Sequence, residues 1–125
     1  MKIHASGENY LETILRLQQR NEKVRAVDIA NELEFSKPSV SIALKHLREQ
    51  EMILVDERGI ITLLPKGEEI AKRIYERHEL LSLFLTCLGV PADIAAEDAC
   101  KIEHIISTES FEAIKAHVLK HQNGE

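Results

Sequence analysis

Apolar positions recur along most of this chain with a helical period. Tyr10, Leu11, Ile14, Leu15 and Leu17 form one stripe, which predicts a first helix with Ser6 as N-cap and Glu8 and Glu12 near its positive end. A short helix follows around Val27–Glu34, with Ile29, Ala30 and Leu33 on one face. Ser36-Lys37-Pro38-Ser39 then places a capping serine just before an early proline, a helix-start signal, and the helix carries Val40, Ile42, Ala43, Leu44 and Leu47 to about Gln50. The period changes to short β-type runs at Ile53–Val55 and Ile60–Leu63. They flank Asp56-Glu57-Arg58-Gly59, which reads as a hairpin with Gly59 in the turn. A long helix over Lys66–Leu88 ends at Gly89, Pro91 starts another to about Ile106, and Ser107 or Thr108 caps a last one to about Lys120.

The fold class is therefore mainly α, with one two-stranded ribbon. At 125 residues, 44% hydrophobic and 30% charged, the chain has ordinary globular composition rather than that of a disordered segment. No apolar run is long enough to span a membrane, and Met1–Tyr10 lacks the pattern of a secretory signal, so no membrane partner is expected. Two cysteines, Cys87 and Cys100, do not make a disulfide framework, which points to a reducing cytoplasm. The net charge of −5 argues at first against a nucleic-acid partner. Its distribution changes that reading: residues 1–36 carry −1, residues 37–77 carry +1, and residues 78–125 carry −5. A locally neutral to basic middle beside an acidic C-terminal third is compatible with two tasks.

Helix, short helix, tight turn, capped helix and hairpin, in that order, is the plan of a winged helix-turn-helix. Ile29 and Phe35 are expected to pack its two helices together, and the capped helix becomes the recognition helix. Its first turns are small and polar at Pro38, Ser39 and Ser41, which lets the backbone approach base edges, while Lys37, Lys45 and Arg48 reach phosphates. Arg58 at the hairpin tip would meet a neighbouring groove or backbone. The same plan also serves as a protein-interaction module with solvated charges.

Cys100-Lys101-Ile102-Glu103-His104 carries different chemistry. On a helix, Cys100, Glu103 and His104 share one face, and a thiolate, a carboxylate and an imidazole together make a partial shell for a transition metal. Further candidates are His78 on the long helix and Asn9 with Glu12 on the first. Each has a plainer reading: a partly buried histidine, a solvated carboxylate, a small core cysteine. His117 and His121 also have chelating spacing, though basic groups near a helix C-terminus are common. His46 reads as a DNA-side or solvent residue, and Cys87, in an apolar run, as core.

These residues carry a family resemblance. The winged helix-turn-helix, Arg77-His78-Glu79-Leu80-Leu81 with Phe84-Leu85, Gly89-Val90 and Cys100-x-x-Glu103-His104 resemble the diphtheria-toxin-repressor family over about Ser6–Val118. The resemblance implies a metal-dependent bacterial transcription regulator. It would be a homodimer on a double-stranded DNA operator, with a DNA-binding domain at 1–64 and a helical metal-binding and dimerisation domain at 65–125. It places His78, Glu103 and His104 on metal-ligand positions. Cys100 stands where iron-type members have Cys and manganese-type members have Glu, and Glu12 matches a carboxylate ligand of the manganese type. Asn9 departs from the Asp or Met of other members and offers only a neutral oxygen. The chain resembles a short member, without a third SH3-like domain.

The expected function is a metal-dependent regulator, of repressor type, acting on metal-homeostasis genes. Thiolate and imidazole ligands favour Fe(II), Co(II), Ni(II) or Zn(II), whereas Mn(II) prefers oxygen-rich shells, so iron is favoured over manganese. One rival is a metal-independent winged-helix regulator sensing a small organic ligand. A small metalloenzyme is the other, and the chain offers it no second catalytic constellation and no nucleotide-binding glycine loop.

Overall fold

The computed structural model describes residues 5–20 and 23–122. Its elements follow the order α1 (Ala5–Arg20), α2 (Ala26–Leu33), α3 (Lys37–Glu49), β1 (Ile53–Val55), β2 (Ile61–Leu63), α4 (Pro65–Cys87), α5 (Ala92–Ile102) and α6 (Thr108–Gln122). Two compact units divide within α4, Met1–Arg73 and Ile74–Glu125.

In the first unit, Leu11, Ile14, Ile29, Val40, Leu47, Met52 and Ile61 are buried together. The helix starts are local: Asp28 accepts from the Arg25 N–H ahead of α2 (2.9 Å), and the Ser36 hydroxyl accepts from the Ser39 N–H at the start of α3. Between them Glu34 adopts the left-handed conformation (φ 57°) and reverses the chain in few residues. Ile29 is buried as expected, but Phe35 stays nearly half exposed. Its ring lies 6.0 Å from that of Tyr10 on α1, not between α2 and α3. The strands pair antiparallel, Ile53 opposite Leu63 and Val55 opposite Ile61, so one face of the ribbon enters the core while Leu54 and Thr62 face out. Gly59 takes φ +81° in the turn. Beside it the Asp56 carboxylate accepts from the N–H groups of Ile60 and Arg58, and these bonds, with the Ile60 one foremost, hold its pKa below the ordinary carboxylate value. Ser6 lies inside α1 rather than capping it.

The second unit buries Ile74, Leu81, Ala95, Ala99, Phe111 and Val118. Gly89 ends α4 with φ +104°, the glycine termination expected from sequence, and the Ser107 hydroxyl caps α6 by accepting from the Ser110 N–H (3.0 Å). Two expectations fail here. α5 stops at Ile102, four residues before Ile106, and residues 103–105 form a turn. Cys87, expected in the core, is exposed, because the last turn of α4 leaves the packed interior.

Candidate metal centre and nucleic-acid interface

The buried stripe of α4 in the second unit is not uniformly apolar. Ile74, Arg77, His78 and Leu81 lie at helical spacing, and all four are at least nine-tenths buried. His78 Nδ1 lies 2.9 Å from Glu103 Oε2 and 3.7 Å from Cys100 Sγ. The ligand atoms of His78, Cys100 and Glu103 all fall within 4.8 Å of one another. Glu103 caps α5 in helical conformation, so its side chain stays in register with Cys100 although the helix has ended. His104, in the turn, brings Nε2 to 3.3 Å from Glu103 Oε1.

Glu103 is fully buried, yet no hydrogen-bond donor among the described residues is aligned on Oε1; the His104 contact has ion-pair distance only. A buried carboxylate with an unmet oxygen carries an effective penalty of several kcal/mol. A core network with no further ligand leaves that penalty standing. A cation held by Glu103, His78 and Cys100 would remove it, and imidazole, carboxylate and thiolate are donors suited to a divalent transition metal. The residues present fit the ion.

Arg77 is a residue to which sequence reasoning gave no role. Its Nη1 donates to the carbonyl oxygens of Glu103 (3.1 Å) and Ile106 (3.0 Å), and its guanidinium lies 5.4 Å from the centre of the Phe111 ring. It thus fastens the turn that carries Glu103 and His104. A cation at helical spacing between Ile74 and Leu81 was the available signal. Arg77→Met is expected to orphan both carbonyls and lower the stability of the chain by about 2–3 kcal/mol. Arg77→Lys, whose compact, strongly hydrated ammonium lacks the planar guanidinium that lies over the Phe111 ring, should recover only part of that loss. Urea denaturation followed by circular dichroism checks both.

Asn9 and Glu12 lie on α1 in the first unit. Asn9 is half-buried, and its backbone carbonyl accepts from the Thr13 hydroxyl; Glu12 is 3% exposed and pairs with Arg16 at 2.8 Å. The rings of His117 and His121 lie with centres 4.1 Å apart and planes tilted by 38°. With Cys87 and Phe84 they line a cavity of about 330 Å³, but they do not gather ligand atoms as the His78 cluster does.

Every residue expected to face DNA in the first unit is exposed: Lys37, Pro38, Ser39, Ser41, Lys45 and Arg48 on α3, and Arg58 in the hairpin turn. Val40, Leu44 and Leu47 turn α3's other side into the core. Ile42, read from the sequence as part of the apolar run, is instead 59% exposed.

Comparison with known proteins also finds two parts in the chain, with the boundary between residues 59 and 64 and therefore ahead of α4 rather than within it. Residues 2–59 match the family model for the N-terminal DNA binding domain of iron dependent repressors, and residues 64–123 match that for their metal binding and dimerisation domain. The chain is 36% identical over 115 residues to the transcriptional regulator MntR of Escherichia coli O6:H1, covering 91% of this chain and 74% of that protein. Among solved structures, the manganese regulator SloR superposes with a TM-score of 0.81 at 31% identity over 94% of this chain. A manganese-dependent transcriptional repressor in complex with manganese gives 0.81 at 29% identity over 89% of it. The chain spans about half the length of these two solved chains, 54% and 51%. On the strength of both domain matches and the E. coli relative, the chain belongs to the iron-dependent, or diphtheria-toxin-repressor, family of transcriptional regulators.

Proposed function

We propose that this protein is a regulator and not an enzyme: a homodimer in the cytoplasm that binds duplex operator DNA when loaded with a divalent transition metal and represses metal-homeostasis genes. The observation that carries this reading is the cluster of His78, Cys100 and buried Glu103, whose carboxylate keeps one oxygen unmet, in a chain whose other unit has a winged helix-turn-helix. Glu103, His78 and Cys100 would hold the ion, with His104 beside them, and Asn9 and Glu12 are the further ligands proposed from sequence. A bound ion would supply positive charge to pair with the Glu103 carboxylate.

On the DNA side, Lys37, Lys45, Arg48 and Arg58 are proposed to neutralise phosphates, while Pro38, Ser39 and Ser41 let α3 approach base edges. The excess acid of the C-terminal third lies outside the proposed interface. The thiolate of Cys100 favours Fe(II) as the ion, with Co(II), Ni(II) and Zn(II) following the same preference and Mn(II) favoured only if oxygen ligands dominate the full shell.

The test is metal content and operator affinity measured across these metals under anaerobic conditions. Fe(II) is expected to bind and to tighten DNA binding at least 100-fold. Calorimetry showing no binding of any divalent metal would favour the rival regulator of a small organic ligand.

A further inference from the structure

We infer that Ile42 is a base-reading residue of α3, recognising a thymine through its C5-methyl group; this rests on the DNA-binding reading above. A single exposed apolar side chain is ordinary on a protein surface. The position of this one is not. Ile42 is two residues from both Val40 and Leu44, which at 100° per residue sets it on the side of α3 opposite the core. It is 59% exposed. Its helix-face neighbours at three and four residues are Pro38, Ser39, Lys45 and His46, all exposed as well. An isoleucine thus stands in the middle of the outward face, with small residues on its N-terminal side and a cation on its C-terminal side.

The surrounding chemistry selects the partner. Lys37, Lys45 and Arg48 give α3 an excess of positive charge over its single acid, Glu49, which complements a phosphate backbone rather than an apolar protein groove. Local stability offers no reason for the residue, because a β-branched side chain on the solvent side of a helix is a poorer helix former than alanine, lysine or glutamine. Within the major groove the apolar feature that distinguishes one base from the others is the thymine methyl. Ser39 and Ser41 hydroxyls can bond to several base edges, whereas Ile42 has neither donor nor acceptor and discriminates through the methyl alone.

The experiment uses the metal-loaded full chain and a duplex selected by it from a random pool. Each thymine of the selected site is replaced in turn by deoxyuridine, which removes the methyl and nothing else. At one thymine per half-site the wild type is expected to lose about three- to five-fold in affinity, the value of one buried methyl-sized group. Ile42→Ala should lose a similar factor on the thymine duplex and be indifferent to uracil at that position, while Ile42→Val retains the discrimination. If thymine-to-uracil changes affect the wild type and Ile42→Ala equally, or affect neither, the inference is wrong. If the wild type selects no duplex with or without metal, the regulator reading falls and takes this inference with it.

Discussion

Replacing Glu103 and His104 together by alanine is expected to abolish the response of duplex binding to metal. A ligand shifts a conformational equilibrium only by its difference in affinity for the two states, and moving a population from almost all inactive to almost all active needs roughly a 10⁴-fold preference. That preference has to come from groups that change their interactions when the ion arrives. Glu103 is the group with most to gain, since it is fully buried with one oxygen unmet. Removing it also removes a destabilising feature of the metal-free chain, so the variant is expected to fold. Binding to the selected duplex, measured with chelator and then with saturating metal, should differ at least 100-fold for the wild type and by less than about twofold for the variant. A variant that still tightens its grip with metal would falsify the switch.

The second large effect is expected at Gly67, where glycine-to-alanine reverses its usual sign. Inside a helix this change ordinarily stabilises, by about 1 kcal/mol. Here a Cβ would be driven into the backbone carbonyl of Met52. That carbonyl cannot retreat cheaply: it accepts from the Leu64 N–H at 2.9 Å, and the Met52 side chain is 1% exposed within the core of the first unit. The clash therefore falls on backbone rather than on a side chain free to rotate. Gly67→Ala should cost about 3 kcal/mol or more, at the upper end of overpacking penalties. In thermal denaturation this corresponds to a fall in Tm of about 10 °C. An unchanged or raised Tm would mean that the first turn of α4 and the β1 edge are not in the contact described.

What could be read in advance was what local chemistry dictates. Ser36 before an early proline starts α3, Gly59 makes the hairpin turn and Gly89 ends α4, because each depends only on backbone geometry and neighbours in sequence. Cys100, Glu103 and His104 were legible as one helical face for the same reason; the structure gathers ligand atoms of Cys100 and Glu103 with His78 from α4, while His104, in the turn, comes beside Glu103. The end of α5 was not legible. Ile102, Ile105 and Ile106 continue an apolar pattern, yet the helix stops at Ile102 and leaves Ile105 81% exposed. Arg77 accounts for this from another helix by taking up the carbonyls of Glu103 and Ile106. A hydrogen bond across 26 or 29 residues leaves no trace in a periodicity. Ile42 was misplaced for a related reason: an apolar residue between Val40 and Leu44 in sequence looks like core until its face, opposite theirs, is observed.

His78, Cys100 and Glu103 all belong to the second unit, and none lies on α3 or the hairpin. On the proposed function, the clustered ligands His78, Cys100 and Glu103 are therefore encoded apart from the α3 and hairpin residues proposed to face DNA, although Asn9 and Glu12 stand on α1. A change of codon 100 from thiol to carboxylate hardens the donor set without altering any residue proposed to face a base pair. If the proposed function holds, substitutions at the ion cluster would retune which ion is answered without touching the residues of α3, and substitutions on α3 would redirect DNA reading without touching that cluster.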